Sequence, residues 1–271
     1  MSNATANGTA FITGASRGIG AVYAERLARR GYDLILAARS EAPLKELARR
    51  LASETGRSVT TIVADLNDKQ DLAKLETKLK SDSSISMLVN NAGLASVAPL
   101  LNADIEKMEE MIDLNVTALT RLTYAAAPGF VERGKGTIIN IASTVGISPE
   151  ALNGVYGASK AYVLAFSHSL QHELADKGIR VQAVLPGATA TDLWEIAGLH
   201  WDKLPPSMVM SAENMVDAAL AGLDQGELVT IPGLQDGDDW TRFEAARRGL
   251  SGKLSTSQPA PRYQIAKRQS A

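Results

Sequence analysis

The run Thr9-Ala-Phe-Ile-Thr-Gly-Ala-Ser-Arg-Gly-Ile-Gly20 decides how the rest of the chain is read. Its first five residues are apolar or β-branched and read as a buried strand. Glycines follow at 14, 18 and 20, and a helical pattern opens at Gly18 and runs to Arg30. Glycine permits the tight turn and lets main chain approach a pyrophosphate, whose charge the helix N-terminus favours. A glycine-rich loop alone is a weak signal. With a strand before it and a helix after it, this one reads as a dinucleotide-binding turn.

Outward from that turn the chain keeps alternating. Strands are expected at 33–37, 58–63, 86–90, 136–142, 179–185 and 228–231, and helices at 41–55, 68–81, 104–127, 153–177 and 211–223. Pro128-Gly129 is expected to end the long helix, and short helices to fill 189–210. Apolar strands separated by helices imply an α/β domain with a parallel sheet covered on both faces. A further helix is expected at 239–248. The tail from Gly249, rich in Ser, Pro, Gln and basic residues, reads as poorly ordered or packed on a partner.

Composition narrows the function. The 271 residues are 45% hydrophobic and 21% charged, which suits one large domain. A net charge of −2 gives no sign of a nucleic-acid partner. The absence of cysteine excludes disulfides, thiolate metal sites and a cysteine nucleophile. No run approaches membrane-spanning length, and MSNATANG lacks the parts of a signal peptide, so the cytoplasm is the expected compartment. His168 and His172 share a helix face, but with Glu173 the only close acid they read as solvated positions, and no metal is expected.

The end of the second strand discriminates between cofactors. A carboxylate there would accept from the ribose 2′-hydroxyl of NAD. Here the residues are Ala37-Ala38-Arg39-Ser40, and Arg17 lies nearby in the glycine turn. Two arginines and no acid point to the 2′-phosphate of NADP. Asp65 follows the third strand and can accept from an adenine amino group. Asn90-Asn91-Ala92-Gly93 closes the fourth strand at the edge where ligands bind. Asn115, mid-helix, marks either a local distortion with a functional group or a buried polar contact.

The chemistry lies between Ser143 and Lys160, STVGISPEALNGVYGASK. Tyr156 and Lys160 are four apart and so neighbours on one helix face. A phenol near pKa 10 exchanges protons poorly at neutral pH, and an ammonium beside it favours the phenolate. Ser143 brings a hydroxyl from the strand end. These are the parts of a proton-transfer site.

Over about residues 8–235 the chain resembles the short-chain dehydrogenase/reductase family. The likeness rests on TGASRGIG (13–20), Asp65, NNAG (90–93), Asn115, Ser143, YGASK (156–160) and Pro186-Gly187 followed by Thr191. It implies a single-domain Rossmann fold: a doubly wound, parallel, seven-stranded sheet of order 3-2-1-4-5-6-7 within residues 1–248, a substrate lid at about 189–210, and a tail at 249–271. It implies a catalytic tetrad of Asn115, Ser143, Tyr156 and Lys160. The cofactor contacts it implies come from Gly14, Ser16, Arg17, Gly18, Ile19 and Gly20; Arg39 and Ser40; Asp65 and Leu66; Asn91, Ala92 and Gly93; Tyr156 and Lys160; and Pro186 and Gly187. Thr189 or Thr191 would hold the carboxamide and phosphates. It also implies a homodimer or homotetramer, although the residues after Gly233 depart from the family's common ending and put the usual tetramer contact in doubt.

The expected activity is NADP(H)-dependent interconversion of a carbonyl and an alcohol on a small, apolar substrate. The alternatives are an NADP-binding sensor or scaffold without turnover, and another reaction of the fold such as epimerisation. The lid is expected to line the substrate site with Leu193, Trp194, Ile196, Leu199, Trp201, Leu204, Met208 and Met210, with Leu94, Leu152 and Val155 adding to the wall.

Overall fold

The strands form where apolar runs were expected, and in the computed structural model, which describes residues 7–263, they assemble into one parallel sheet. Its members are β1 (Thr9–Thr13), β2 (Asp33–Ala38), β3 (Val59–Val63), β4 (Ile85–Asn90), β5 (Gly136–Ile141), β6 (Ile179–Val184) and, after a two-stranded pair β7 (Thr189–Ala190) and β8 (Met210–Ser211), β9 (Val229–Thr230). The order β3-β2-β1-β4-β5-β6-β9 reverses direction between β1 and β4, each paired in parallel. That reversal opens a crevice at the carboxyl ends of the strands. The expected doubly wound sheet and its order are both found. Residues 1–6 of the polar N-terminal stretch and 264–271 of the tail lie outside the described residues.

Helices α1 (Gly18–Arg29), α2 (Glu41–Thr55) and α3 (Lys69–Ser81) follow the first three strands. One apolar layer packs Tyr23, Leu27, Leu44 and Leu51 against Ile12, Leu36 and Val89. The other packs Leu75, Leu122 and Phe130 against Phe11, Leu88 and Ile138. Strand residues therefore alternate between the two layers, as the pleat requires.

The long helix differs from expectation in two places. It is α4 (Ile105–Ile112), a π-helical turn (Asp113–Ala118) and α5 (Leu119–Glu132) in succession. It also runs through Pro128 instead of ending there. The carbonyl that Pro128 leaves without an i+4 donor belongs to Tyr124, which is exposed and so within reach of water. Helix α6 (Gly154–Leu174) carries the YGASK motif, and α8 (Ala212–Gln225) precedes β9. His168 is half-buried, not solvated, whereas His172 is exposed. Between β7 and β8 the chain makes α7 (Leu193–Ala197) and two 3-10 turns, the short helices expected of a lid.

The described residues divide after Gly233 into two compact units. The second contains α9 (Gly237–Arg248), which starts two residues before the expected 239 because the Asp236 carboxylate accepts from Asp238 N at 2.9 Å. Among the described residues no helix is long and apolar enough to cross a membrane.

Candidate active site

The glycine turn is built for close approach. Gly14 has φ 64°, a region that favours glycine. A Cβ at Gly20 would run into the Gly14 carbonyl, so Gly20 serves the packing of the turn and does not line the cleft. The side-chain amide of Asn91 donates to Thr13 O at 2.9 Å and Gly14 O at 3.2 Å. The Thr13 hydroxyl accepts from Asn91 N and Ala92 N at 3.0 and 3.1 Å. Thr13 and Asn91 thus staple the NNAG segment to the glycine turn. Arg17, the N-cap residue of α1, makes no capping bond with its side chain. Helix-start amides of this kind are a natural seat for a pyrophosphate.

Beyond β2, Arg39 is exposed and Ser40 lies beside it. Arg17 reaches the same place, its Nη2 donating to Ser40 Oγ at 3.4 Å. Asp65 accepts from Asn67 N at 3.0 Å, which fixes its carboxylate at the cleft wall. Two guanidinium groups, a hydroxyl and no carboxylate at the end of β2 fit a dinucleotide with a 2′-phosphate.

At the other end of the cleft, β5 delivers Ser143 and the first turns of α6 deliver Tyr156 and Lys160. All three are buried, at 8%, 7% and 6% exposure, although two of them carry ionisable groups. Ser143 Oγ donates to Pro186 O at 3.3 Å. Asn153 sets the start of α6: its Oδ1 accepts from Val155 N at 2.9 Å and Tyr156 N at 3.3 Å, and its Nδ2 donates to Ala98 O at 2.6 Å. It therefore holds both the tyrosine's turn and the loop after β4. The sequence reading placed the helix start at Asn153 but gave that residue no part in the site.

Asn115 sits inside the π turn and is 1% exposed. Its side chain accepts from Leu94 N at 2.8 Å, donates to Leu94 O at 2.9 Å and donates to Ser159 Oγ at 3.0 Å. The helix is distorted here and the amide makes a buried polar contact. The side chain clamps the loop at Leu94 instead of reaching the cavity.

The electrostatics differ from the sequence expectation. Burial raises the Tyr156 phenol above its ordinary value, and a hydrogen bond with Ser143 opposes this only in part. Burial lowers Lys160 to about 8. The ammonium donates to Ile141 O at 2.9 Å and lies 5.9 Å from the centre of the Tyr156 ring. The expected lowering of the phenol by Lys160 is therefore not found, because desolvation dominates both groups.

One cavity of about 320 Å³ joins the two ends. Of the expected site residues only Gly20 and Asn115 do not line it. From the expected substrate wall it takes Leu94, Leu152, Leu193, Trp194 and Ile196. Leu199, Trp201, Leu204, Met208, Met210 and Val155 do not line it. Met210 packs on the core and Val155 on the Met108–Met111 cluster, while Met208 points to solvent, 64% exposed. The wall gains Ala95, Ser96, Val97 and Asp192, which no local pattern had marked. Among the described residues no group of three or more acids and histidines is placed to hold a metal.

Comparison with known proteins places the chain in a family. Residues 8–198 match the family model described as short chain dehydrogenase. A short-chain dehydrogenase from Sphingobium yanoikuyae, solved in complex with NADPH, is 49% identical, with a TM-score of 0.92 over 94% of this chain and 99% of that one. The bulky-bulky ketone specific alcohol dehydrogenase from Comamonas testosteroni is 44% identical, with a TM-score of 0.87 over 95% of this chain and 99% of that one. The very-long-chain 3-oxoacyl-CoA reductase of Anas platyrhynchos is 35% identical over 207 residues, 75% of this chain and 66% of that protein's length. The chain thus spans just under two thirds of that relative. With a model match over most of its length and the strand order of the fold, the chain belongs to the short-chain dehydrogenase family.

Proposed function

We propose that this chain is an NADP(H)-dependent oxidoreductase that interconverts a carbonyl and a secondary alcohol. The observation that carries the reading is the continuity of one cavity from Arg17, Arg39 and Ser40 to the buried trio Ser143, Tyr156 and Lys160. Arg17, Arg39, Ser40 and Lys160, all on this cavity, would hold NADPH, which would supply the hydride for the carbonyl carbon. Tyr156 holds the proton that goes to the carbonyl oxygen, and its raised pKa keeps it protonated at neutral pH, the state reduction needs. The Ser143 hydroxyl turns from Pro186 O to the substrate oxygen. Lys160 serves the Tyr156 side and the nicotinamide ribose. Asn115, its side chain committed to Leu94 and Ser159, acts as a positioning residue. A water relay from Lys160 would use the Asn115 main chain, which lies in the π turn.

The NADPH-bound short-chain dehydrogenase and the ketone specific alcohol dehydrogenase named above support this reading. Its test is a panel of ketones and aldehydes incubated with NADPH or NADH while cofactor absorbance is followed. The reading expects NADPH consumption matched by alcohol product. NADPH binding with no turnover on any member would favour a sensor instead.

The same reading includes a homo-oligomer. Tyr124 and Tyr162 both stack on Phe166 between α5 and α6, at 6.4 and 5.6 Å, and Tyr124 is 69% exposed. An exposed aromatic row of this kind suits a second copy of the chain. Light scattering of wild type and Tyr124→Glu tests it: a stable monomer in the wild type removes the oligomer.

A further inference from the structure

The cavity has two ends of opposite chemistry. The two arginines that line it, Arg17 and Arg39, are both at the cofactor end, where Arg17 is paired with Asp192. The reaction end is walled by residues from 94–97, 141–156 and 186–197. Those three segments contain no Lys, Arg or His, and their charged residues are Glu150, Asp192 and Glu195. Lys160, the nearest cation, is turned to Ile141 O. Trp194 donates its indole N–H to Thr189 O at 3.0 Å, so the polar atom of that ring is used. Val97 N donates to Ala197 O at 3.1 Å, which joins the loop after β4 to the lid. The apolar roof is therefore already in place.

A neutral carbonyl compound entering here meets hydrocarbon on both sides of Ser143 and Tyr156. An anionic one gives up its water with no unpaired cation on the wall to receive it: of the acids on these segments only Asp192 lines the cavity, and it is paired with Arg17. We infer that the reaction end selects neutral ketones with apolar groups and rejects anionic ones, coenzyme A thioesters included, with Trp194 and Ile196 as specificity-determining residues. This rests on the carbonyl–alcohol reading proposed above. It separates this chain from relatives named as 3-oxoacyl-CoA reductases.

The test compares molecules of one skeleton and different charge. Methyl benzoylpropionate and free benzoylpropionate are each reduced with NADPH, as are the methyl ester and the coenzyme A thioester of one long-chain 3-oxo acid. The neutral member of each pair is expected to win by about 100-fold in kcat/KM, because an unpaired charge is excluded from such a site. Ile196 is 56% exposed and tolerates a charged replacement. Ile196→Lys supplies the missing cation and is expected to shrink the ester-to-acid ratio by about 10-fold, mainly through the KM of the acid. Acid or thioester turnover within about threefold of the neutral ester overturns the inference and leaves the oxidoreductase reading intact. An unchanged ratio in Ile196→Lys overturns the assignment of that residue. If neither ester is reduced the inference falls. If no carbonyl of the wider panel is reduced either, the oxidoreductase reading falls with it.

Discussion

Arg17 and Asp192 are paired across the cleft: Arg17 Nη1 donates to Asp192 Oδ2 at 3.3 Å while Nη2 holds Ser40. One residue belongs to the glycine turn and the other to the lid. The guanidinium proposed for the 2′-phosphate is thus held by a lid carboxylate. Both side chains are more than half exposed, so the pair contributes at most about 1 kcal/mol. A phosphate is the stronger partner. Asp192→Asn is therefore expected to tighten NADPH binding by about two- to fivefold and to leave NADH unchanged. Titration calorimetry with each cofactor checks this. Weaker NADPH binding in the variant would show that Asp192 supports the cofactor site instead of competing for it.

Cofactor choice is the second expectation. Arg39 and Ser40 line the cavity after β2, where no carboxylate stands. NADPH is expected to be preferred over NADH by about 10- to 1000-fold in kcat/KM, or ~1.4–4 kcal/mol. Arg39→Ala should weaken NADPH use and leave NADH use almost unaltered. Ala38→Asp should move the preference toward NADH, since the new carboxylate repels the phosphate and accepts from the ribose. Steady-state kinetics of the three proteins decide it, and equal use of both cofactors by the wild type would refute the assignment.

Burial of Lys160 makes a statement about stability. Its ammonium falls from 10.5 to about 8 in the folded protein. Below about pH 8 the charge is present in both folded and unfolded chains, and its desolvation weighs fully against the fold. Between about 8 and 10.5 the unfolded chain binds a proton that the folded one has released, so this contribution rises with pH. Lys160→Met lacks the effect. From pH 7 to pH 9.5 the urea-derived stability difference should shift toward wild type by roughly 2 kcal/mol. Staying below pH 10 avoids the buried Tyr23 and Tyr156, whose raised values act in the opposite direction once unfolded phenols ionise. A difference independent of pH would mean that Lys160 keeps an ordinary pKa.

Much of the fold was legible because its signals are local. Apolar runs bounded by glycine and polar turns gave β1 to β6 within a residue or so, and the i, i+4 spacing put Tyr156 and Lys160 on one face of α6. Features made by distant contacts were not legible. A distortion at Asn115 is one of two readings the sequence offers, but the contact that accompanies the π turn at Asp113–Ala118, the bond to Leu94 twenty-one residues away, is not legible there. Lys160 finds Ile141 O on β5 instead of the Tyr156 phenol, and no spacing rule reports that. The wall residues Ala95, Ser96 and Val97 carry no periodic pattern. Their place becomes visible only once Val97 N meets the Ala197 carbonyl. Pro128 was read as a stop from its local chemistry, yet the packing of Leu122, Ala125, Ala126 and Phe130 carries the helix past it.

The central claim is that Tyr156 moves the proton in an NADPH-dependent carbonyl reduction. Tyr156→Phe keeps the ring packed against Met108, Met111 and Val145 and removes only the phenolic oxygen. The direct measurement is NADPH affinity by titration alongside single-turnover reduction of the best ketone of the panel. The account predicts affinity within about twofold of wild type and a chemical step slowed by at least about 100-fold. A chemical step within about tenfold of wild type, with NADPH still bound, would contradict it.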